Sequence, residues 1–191
     1  MAGDAEIVLL PVGDTDPAIV ARIAARVGAA LDVEVVAGQP QLLPEGGFDR
    51  RRSQYRSSVF LESLDRLRRS IPNQPRPYLL GVAAADLFVP RLNFIFGEAD
   101  HAAGVAVISL ARLRPQLYGR PADPPLLEER AFKEAIHEIG HVYGLLHCRD
   151  PRCIMLFSNT IEDTDRKGPG FCPDCERQLL GLLGRRSGLR P

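Results

Sequence analysis

HEIGHVYGLLHCRDPRCIM, residues 137–155, gathers three of the chain's four histidines and two of its four cysteines. His137 and His141 stand four apart, so on a helix both project from one face, one turn apart, close enough to share an ion. Glu138, beside the first histidine, can reach a water on that ion without ligating it. This is the HExxH pattern, in which two imidazoles hold Zn2+ and the glutamate serves as general base. Gly144 and His147 extend it to HExxHxxGxxH. A helix continued past His141 would carry later side chains away from the ion. Glycine at 144 accepts the positive φ of a turn, and His147 then swings back as third ligand. Three neutral imidazoles leave tetrahedral zinc one open position, the arrangement of a catalytic site, where a bound water's pKa falls toward about 7 and a carbonyl is polarised. A zinc-loaded pocket without turnover meets the same spacing, since ligands alone do not make a substrate cleft.

The cysteines form a second pattern. Cys148 and Cys153 bracket four residues, and Cys172 and Cys175 form CPDC. A CxxC knuckle points two thiolates at one ion, so the four read as a closed, tetrahedral four-thiolate zinc site of structural kind. It staples the last helix to the loop leaving the histidine helix, and through the neighbouring His147 and Cys148 it steadies the third histidine. A redox pair is the rival reading of these thiols. The spacing therefore predicts two Zn2+ per chain, one catalytic and one structural.

Working outward, a helix over Leu126 to Leu146 carries the motif, with Ala131, Phe132, Ala135, Ile136, Ile139, Val142, Tyr143 and Leu146 at apolar spacing. Beyond Gly144 little regular structure is expected until CERQLLGLLGRR, residues 175–186. Upstream, AEIVLLPVG reads as a buried strand, and Asp16 followed by Pro17 starts a helix running to about residue 31. DVEVVAG is a second strand, which suggests a βαβ unit. GQPQLLPEGGFDRRRSQ reads as a loop, a helix fits Ser57 to Ser70, and IPNQPRP, residues 71–77, stops it. Three extended segments follow at 78–88, 93–99 and 104–110. The expected fold class is α/β, one domain over 1–191, with about 1–144 carrying the sheet and the histidine helix and about 145–191 the four-cysteine zinc site.

Composition narrows the partners. Twenty-four basic and 24 acidic residues cancel, so no net field draws the chain to nucleic acid or an anionic membrane. The arginine clusters at 50–52 and 66–69 read as solvated faces. The segment from Cys148 to Cys175 sets Asp150, Glu162, Asp163, Asp165 and Asp174 against four basic residues, which is no phosphate-binding footprint. No apolar run approaches the roughly 18 residues of a membrane span. The N-terminal stretch lacks a signal peptide's basic n-region, so a cytoplasmic monomer is expected, with thiolates in preference to disulfides.

With these residues laid out, the chain resembles the metzincin clan of zinc peptidases and, within it, the archaemetzincins. The likeness rests on His137, Glu138, His141, Gly144 and His147 followed by C-x4-C-x-M and a downstream CxxC, that is Cys148, Cys153, Met155, Cys172 and Cys175. The resemblance implies a metalloprotease with a two-lobed fold. Its upper part is a mixed sheet with two helices and the active-site helix, and its small lower lobe holds the Met-turn and the C-terminal helix. It implies that Met155 is the Met-turn residue, a hydrophobic floor and not a ligand. It also implies a peptide or protein substrate extended along an edge strand near Asn93, Phe94, Ile95, Phe96 and Gly97. Leu156 and Phe157 follow the methionine where some relatives in the clan carry a tyrosine. Glu98, Asp100 and Glu134 could meet a free amine, as an aminopeptidase requires, though surface exposure is the plainer expectation for each.

Overall fold

The computed structural model describes residues 6–72 and 75–186. Ala5, where the first expected strand begins, and Asn73 and Gln74, inside the expected helix stop, lie outside the described residues.

The fold grows from a strand buried on both faces, β1 (Ile7–Val12). Helix α1 (Pro17–Leu31) follows, with Asp16 Oδ1 accepting from the Ala18 N–H at 2.9 Å and Pro17 in the first turn. Asp32, at φ 53°, ends it. The chain returns as β2 (Val35–Ala37), parallel to β1. A short hairpin, β3 (Phe48–Asp49) and β4 (Gln54–Arg56), leads into α2 (Ser57–Ser70). Then come β5 (Tyr78–Ala83), β6 (Leu87–Phe88), β7 (Gly97–Asp100) and β8 (Val105–Ser109).

The main sheet has the order β2-β1-β5-β8-β7, and only β7, at the edge, runs antiparallel. Side chains alternate across it. Ile7, Leu9, Leu80, Val82, Ala106 and Ile108 pack toward α1 and α3 (Pro124–Tyr143). Val8, Leu10, Leu79, Val105 and Val107 pack toward Phe60 and Leu64 of α2. The result is helix, sheet and helix pair in three layers. No helix among the described residues is long and apolar enough to cross a membrane.

Several boundaries differ from expectation. The stretch expected as loop contains β3, which with β4 and β6 forms a second, three-stranded sheet. Of the 93–99 segment only Gly97 onward joins the main sheet, while Ile95 bridges to Leu87. Helix α3 stops at Tyr143, three residues early, because Gly144 turns left-handed at φ 106°. Its N–H and that of Leu145 close onto His141 O and Gly140 O, both at 2.9 Å. The segment beyond holds an unexpected helix, α4 (Ile161–Arg166), before α5 (Pro173–Arg186). Thr160 and Asp163 form a capping box there, a signal that was present in the sequence.

Nor are the arginines merely solvated. Arg52 donates to the carbonyls of Leu92 and Asn93, each at 2.8 Å, and Arg68 reaches the carbonyls of Pro77, Ala103 and Arg76. Guanidinium forks here serve loop carbonyls that no ladder reaches.

Candidate metal centres

From Arg130 onward helix α3 is largely buried, and there it presents one face as a ladder of polar residues. Glu134, His137, Glu138 and His141 recur at spacings of three and four, which stacks them along one side. The Nε2 atoms of His137 and His141 lie 3.1 Å apart. His147, delivered by the turn at Gly144, brings its ring centroid to 4.6 Å from that of His141 and 5.4 Å from that of His137. One ligand atom from each of the three histidines falls within 4.8 Å of the others.

The inner two rings are held from behind. His137 Nδ1 lies 2.8 Å from Ile154 O, and His141 Nδ1 lies 2.8 Å from Leu145 O. A carbonyl accepting from Nδ1 fixes the tautomer with the Nε2 lone pair free for a metal. Burial, with Lys167 nearby, holds His137 well below the ordinary histidine range; burial also lowers His141 and His147. The three rings are therefore neutral near pH 7, the form that ligates. Neutral nitrogen donors converging at the mouth of a cleft fit Zn2+.

Glu138 is 4% exposed. Burial pushes its carboxyl well above the usual range, Glu134 adds to the rise and Lys167 opposes it. Gly97 of β7 lies against it so closely that a Cβ there would come within 2.6 Å of Glu138 Oε1. Glycine at 97 is thus what lets the edge strand approach this carboxylate.

A cleft of about 360 Å3 opens over these groups. Residues 92–99 form one wall, Phe157 to Asn159 the other, and Glu134, His137, Glu138, His141 and His147 lie between. Asn93, Phe94, Ile95, Phe96 and Gly97 all line it, although only Gly97 belongs to β7. Phe157 packs edge-on to His147, centroids 4.9 Å apart.

Met155 is fully buried. It packs against Gly140, between the two helical histidines, where a Cβ would come within 2.5 Å of its Sδ. That glycine, the fourth residue of HEIGH, is a packing signal that ligand spacing alone passes over.

The plainer expectation for Glu134, surface exposure, is overturned: it is 3% exposed. Its Oε1 lies 3.0 Å from Lys167 Nζ, an ion pair, and accepts the Thr164 hydroxyl at 3.1 Å. Lys167 is itself fully buried, without a hydrogen bond from Nζ among the described residues, so the pair is held by charge. The residue before Glu134, Lys133, caps the carbonyls of Thr164, Asp165 and Lys167 with its Nζ, and one turn before Glu134, Arg130 forks onto Asp165 at 2.7 and 2.6 Å. This face of α3 thus begins as a clamp on α4 and ends at the histidine cluster. Helical spacing from His137 puts Glu134 on this face; nothing in the sequence marks Lys167.

The four cysteines converge in turn. All are free thiols, with one ligand atom from each lying within 4.8 Å of the others. Burial pushes the Cys153 and Cys175 thiols up, while the Cys175 backbone N–H holds Cys172 down. Four facing sulfurs, two of them buried, fit a divalent cation that turns mutual repulsion into attraction. The clusters are joined at both ends. Cys148 adjoins His147, and Cys153 adjoins Ile154, whose carbonyl orients His137. The Cys148 N–H closes the loop onto Met155 O at 2.9 Å.

Comparison with known proteins agrees with this geometry. Residues 19–180 match the model of peptidase family M54. The archaemetzincin of Pyrococcus furiosus is 40% identical over 184 residues, 94% of each chain. Among solved structures, an archaemetzincin from Methanopyrus kandleri superposes with a TM-score of 0.80 at 35% identity, covering 97% of this chain and 99% of that one. A zinc-dependent peptidase from Methanocorpusculum labreanum gives 0.84 at 33% identity, covering 91% and 99%. The chain belongs to peptidase family M54, the family of the archaemetzincins, and is a zinc metallopeptidase.

Proposed function

We propose that the chain hydrolyses peptide bonds at the three-histidine centre, with His137, His141 and His147 as ligands of a catalytic zinc and Glu138 as general base. The observation that carries the reading is the joint convergence of three neutral imidazoles and one buried carboxylate on a single cleft. When bound, zinc supplies Lewis acidity toward the scissile carbonyl and toward water.

The chain's own groups do the rest. Glu138 takes a proton from the attacking water and passes it to the leaving amine, and a carboxyl whose pKa is raised by burial is suited to hold it in between. The carbonyls of Ile154 and Leu145 keep the rings of His137 and His141 aimed. Phe157 packs edge-on against the ring of His147 and limits its swing. Among the described residues β7 pairs with β8 alone, and its other edge accepts an extended peptide antiparallel, with Gly97 next to Glu138 at the reacting centre. Asn93 to Phe96 then wall the same groove. Met155 floors the ligand helix. Cys148, Cys153, Cys172 and Cys175 take a second, structural zinc.

Glu138→Ala tests the assignment. We expect peptide hydrolysis to fall by about 10^2 to 10^4-fold, with both metals still present by elemental analysis. Activity kept in that variant defeats the base assignment. A wild type that binds peptides but cleaves none of a broad mixture is instead a zinc-dependent peptide-recognition protein on this fold.

A further inference from the structure

His101, the one histidine outside the motif, stands on the turn between β7 and β8. That turn is tied off by Asp100, whose Oδ1 accepts the Ala103 N–H at 3.0 Å and whose carbonyl accepts the Gly104 N–H at 2.9 Å. Asp100 is thus engaged in the turn itself. From this base His101 Nδ1 lies 2.8 Å from Val142 O, in the last turn of α3. The turn at Gly144 and Leu145 serves the carbonyls of His141 and Gly140, not that of Val142. His101 supplies the missing donor.

The ring does a second thing. It lies over Gly144, where a Cβ would come 3.2 Å from His101 Cε1. The turn beneath the ring governs two ligands: Leu145 O orients His141, and His147 follows two residues later. Helix end, turn and third histidine are thereby fastened to the hairpin that carries the peptide-binding edge.

We propose that His101 is a positioning residue for the zinc centre, bracing the Gly144 turn through its bond to Val142 O and its ring contact, without ligating the ion. The proposal rests on His137, His141 and His147 being the ligands. It gives the fourth histidine a defined duty and explains Gly144 by close approach as well as by φ.

Zinc affinity of the three-histidine site in the full chain, measured by competition with a chromogenic chelator, tests this together with the absorption spectrum of the cobalt-substituted site. His101→Ala should weaken zinc binding at this site by about 10-fold, the lower end for residues that orient a metal's ligands, with the cysteine-bound metal retained. His101→Asn places an N–H donor near the position of Nδ1 and should recover most of that loss; His101→Phe, which fills the space without donating, should recover less. A His101→Ala protein that binds zinc within about 2-fold of wild type, or an Asn variant no better than Phe, overturns the proposal. If the Ala variant does not fold, the Asn and Phe comparison decides alone. A wild type with no zinc at the histidines would defeat the ligand assignment instead, which the same titration reads separately.

Discussion

The three-histidine and four-cysteine clusters meet at the bond between His147 and Cys148, yet they rest on different supports. Two of the histidines belong to a helix packed against the main sheet, with neutral rings aimed by carbonyls of the chain itself. The cysteines sit on a loop and at the start of α5, and once deprotonated, as metal ligation requires, their mutual arrangement is electrostatically adverse without a cation. Two thiolates about 4 Å apart repel by about 4 kcal/mol at an effective dielectric of about 20. The histidine cluster is built on a packed helix whose neighbours hold its rings in place. On the proposed assignment, the cysteine cluster would depend on a bound ion for its own arrangement. Because Ile154 and His147 ride on the cysteine loop, the dependence runs one way, from the cysteines to the histidines.

The largest expected effect exploits that asymmetry. Cys175→Ser should release the structural zinc, loosen residues 145–186 and take the histidine centre with it, lowering hydrolysis by more than about 100-fold, the scale on which misplaced catalytic groups cost rate. His147→Ala should empty only the histidine centre, keeping one zinc per chain and unfolding close to wild type. Zinc content by elemental analysis and thermal unfolding of both variants check this. Equal loss of metal and stability in the two proteins would break the comparison.

The same contrast sorts what was legible in the sequence. Both ligand sets follow from local spacing: a helix brings residues four apart together, and CxxC closes on itself. The helix at 17–31 is likewise set by its Asp16 cap and apolar stripe, and that at 57–70 by an apolar stripe alone, both local to their segments. What the sequence did not disclose is long-range pairing. Lys167 meets Glu134 across 33 positions and Arg52 meets Asn93 across 41, and neither partner marks the other. The wall at 92–96 was expected as strand because its residues are apolar and aromatic. It is instead shaped by Arg52 and by Gln54, which donates to Asn93 O at 3.0 Å. Side chains from the β3–β4 hairpin, absent from any local pattern, decide its path.

A smaller effect probes the joint between the two regions. Lys167→Met leaves the Glu134 carboxylate buried without its cation and should destabilise by about 3–5 kcal/mol, as broken buried pairs do. Thermal or urea unfolding reads this. Adding Glu134→Gln should restore a good part, because the amide oxygen still accepts from Thr164 and no unpaired charge remains. A double variant no better than the single would mean that the pair acts through packing rather than charge.

The smallest effect lies at Gly140. Alanine is the better helix former by about 1 kcal/mol, so an exposed position would gain from Gly140→Ala. Here the new methyl meets Met155 Sδ, and Met155 is fully buried with little room to withdraw. Overpacking of this kind costs about 1–3 kcal/mol, so the net change should be a modest loss of stability. The displacement should also reach Ile154, next along the chain, and through its carbonyl the ring of His137. Gly140→Ala should therefore slow hydrolysis more than its stability loss explains, and Met155→Ala in the same chain, which clears the space, should recover part of the rate. If Gly140→Ala is as active as wild type, the methionine floor yields freely and the histidine centre is less dependent on the cysteine loop than its bonding indicates.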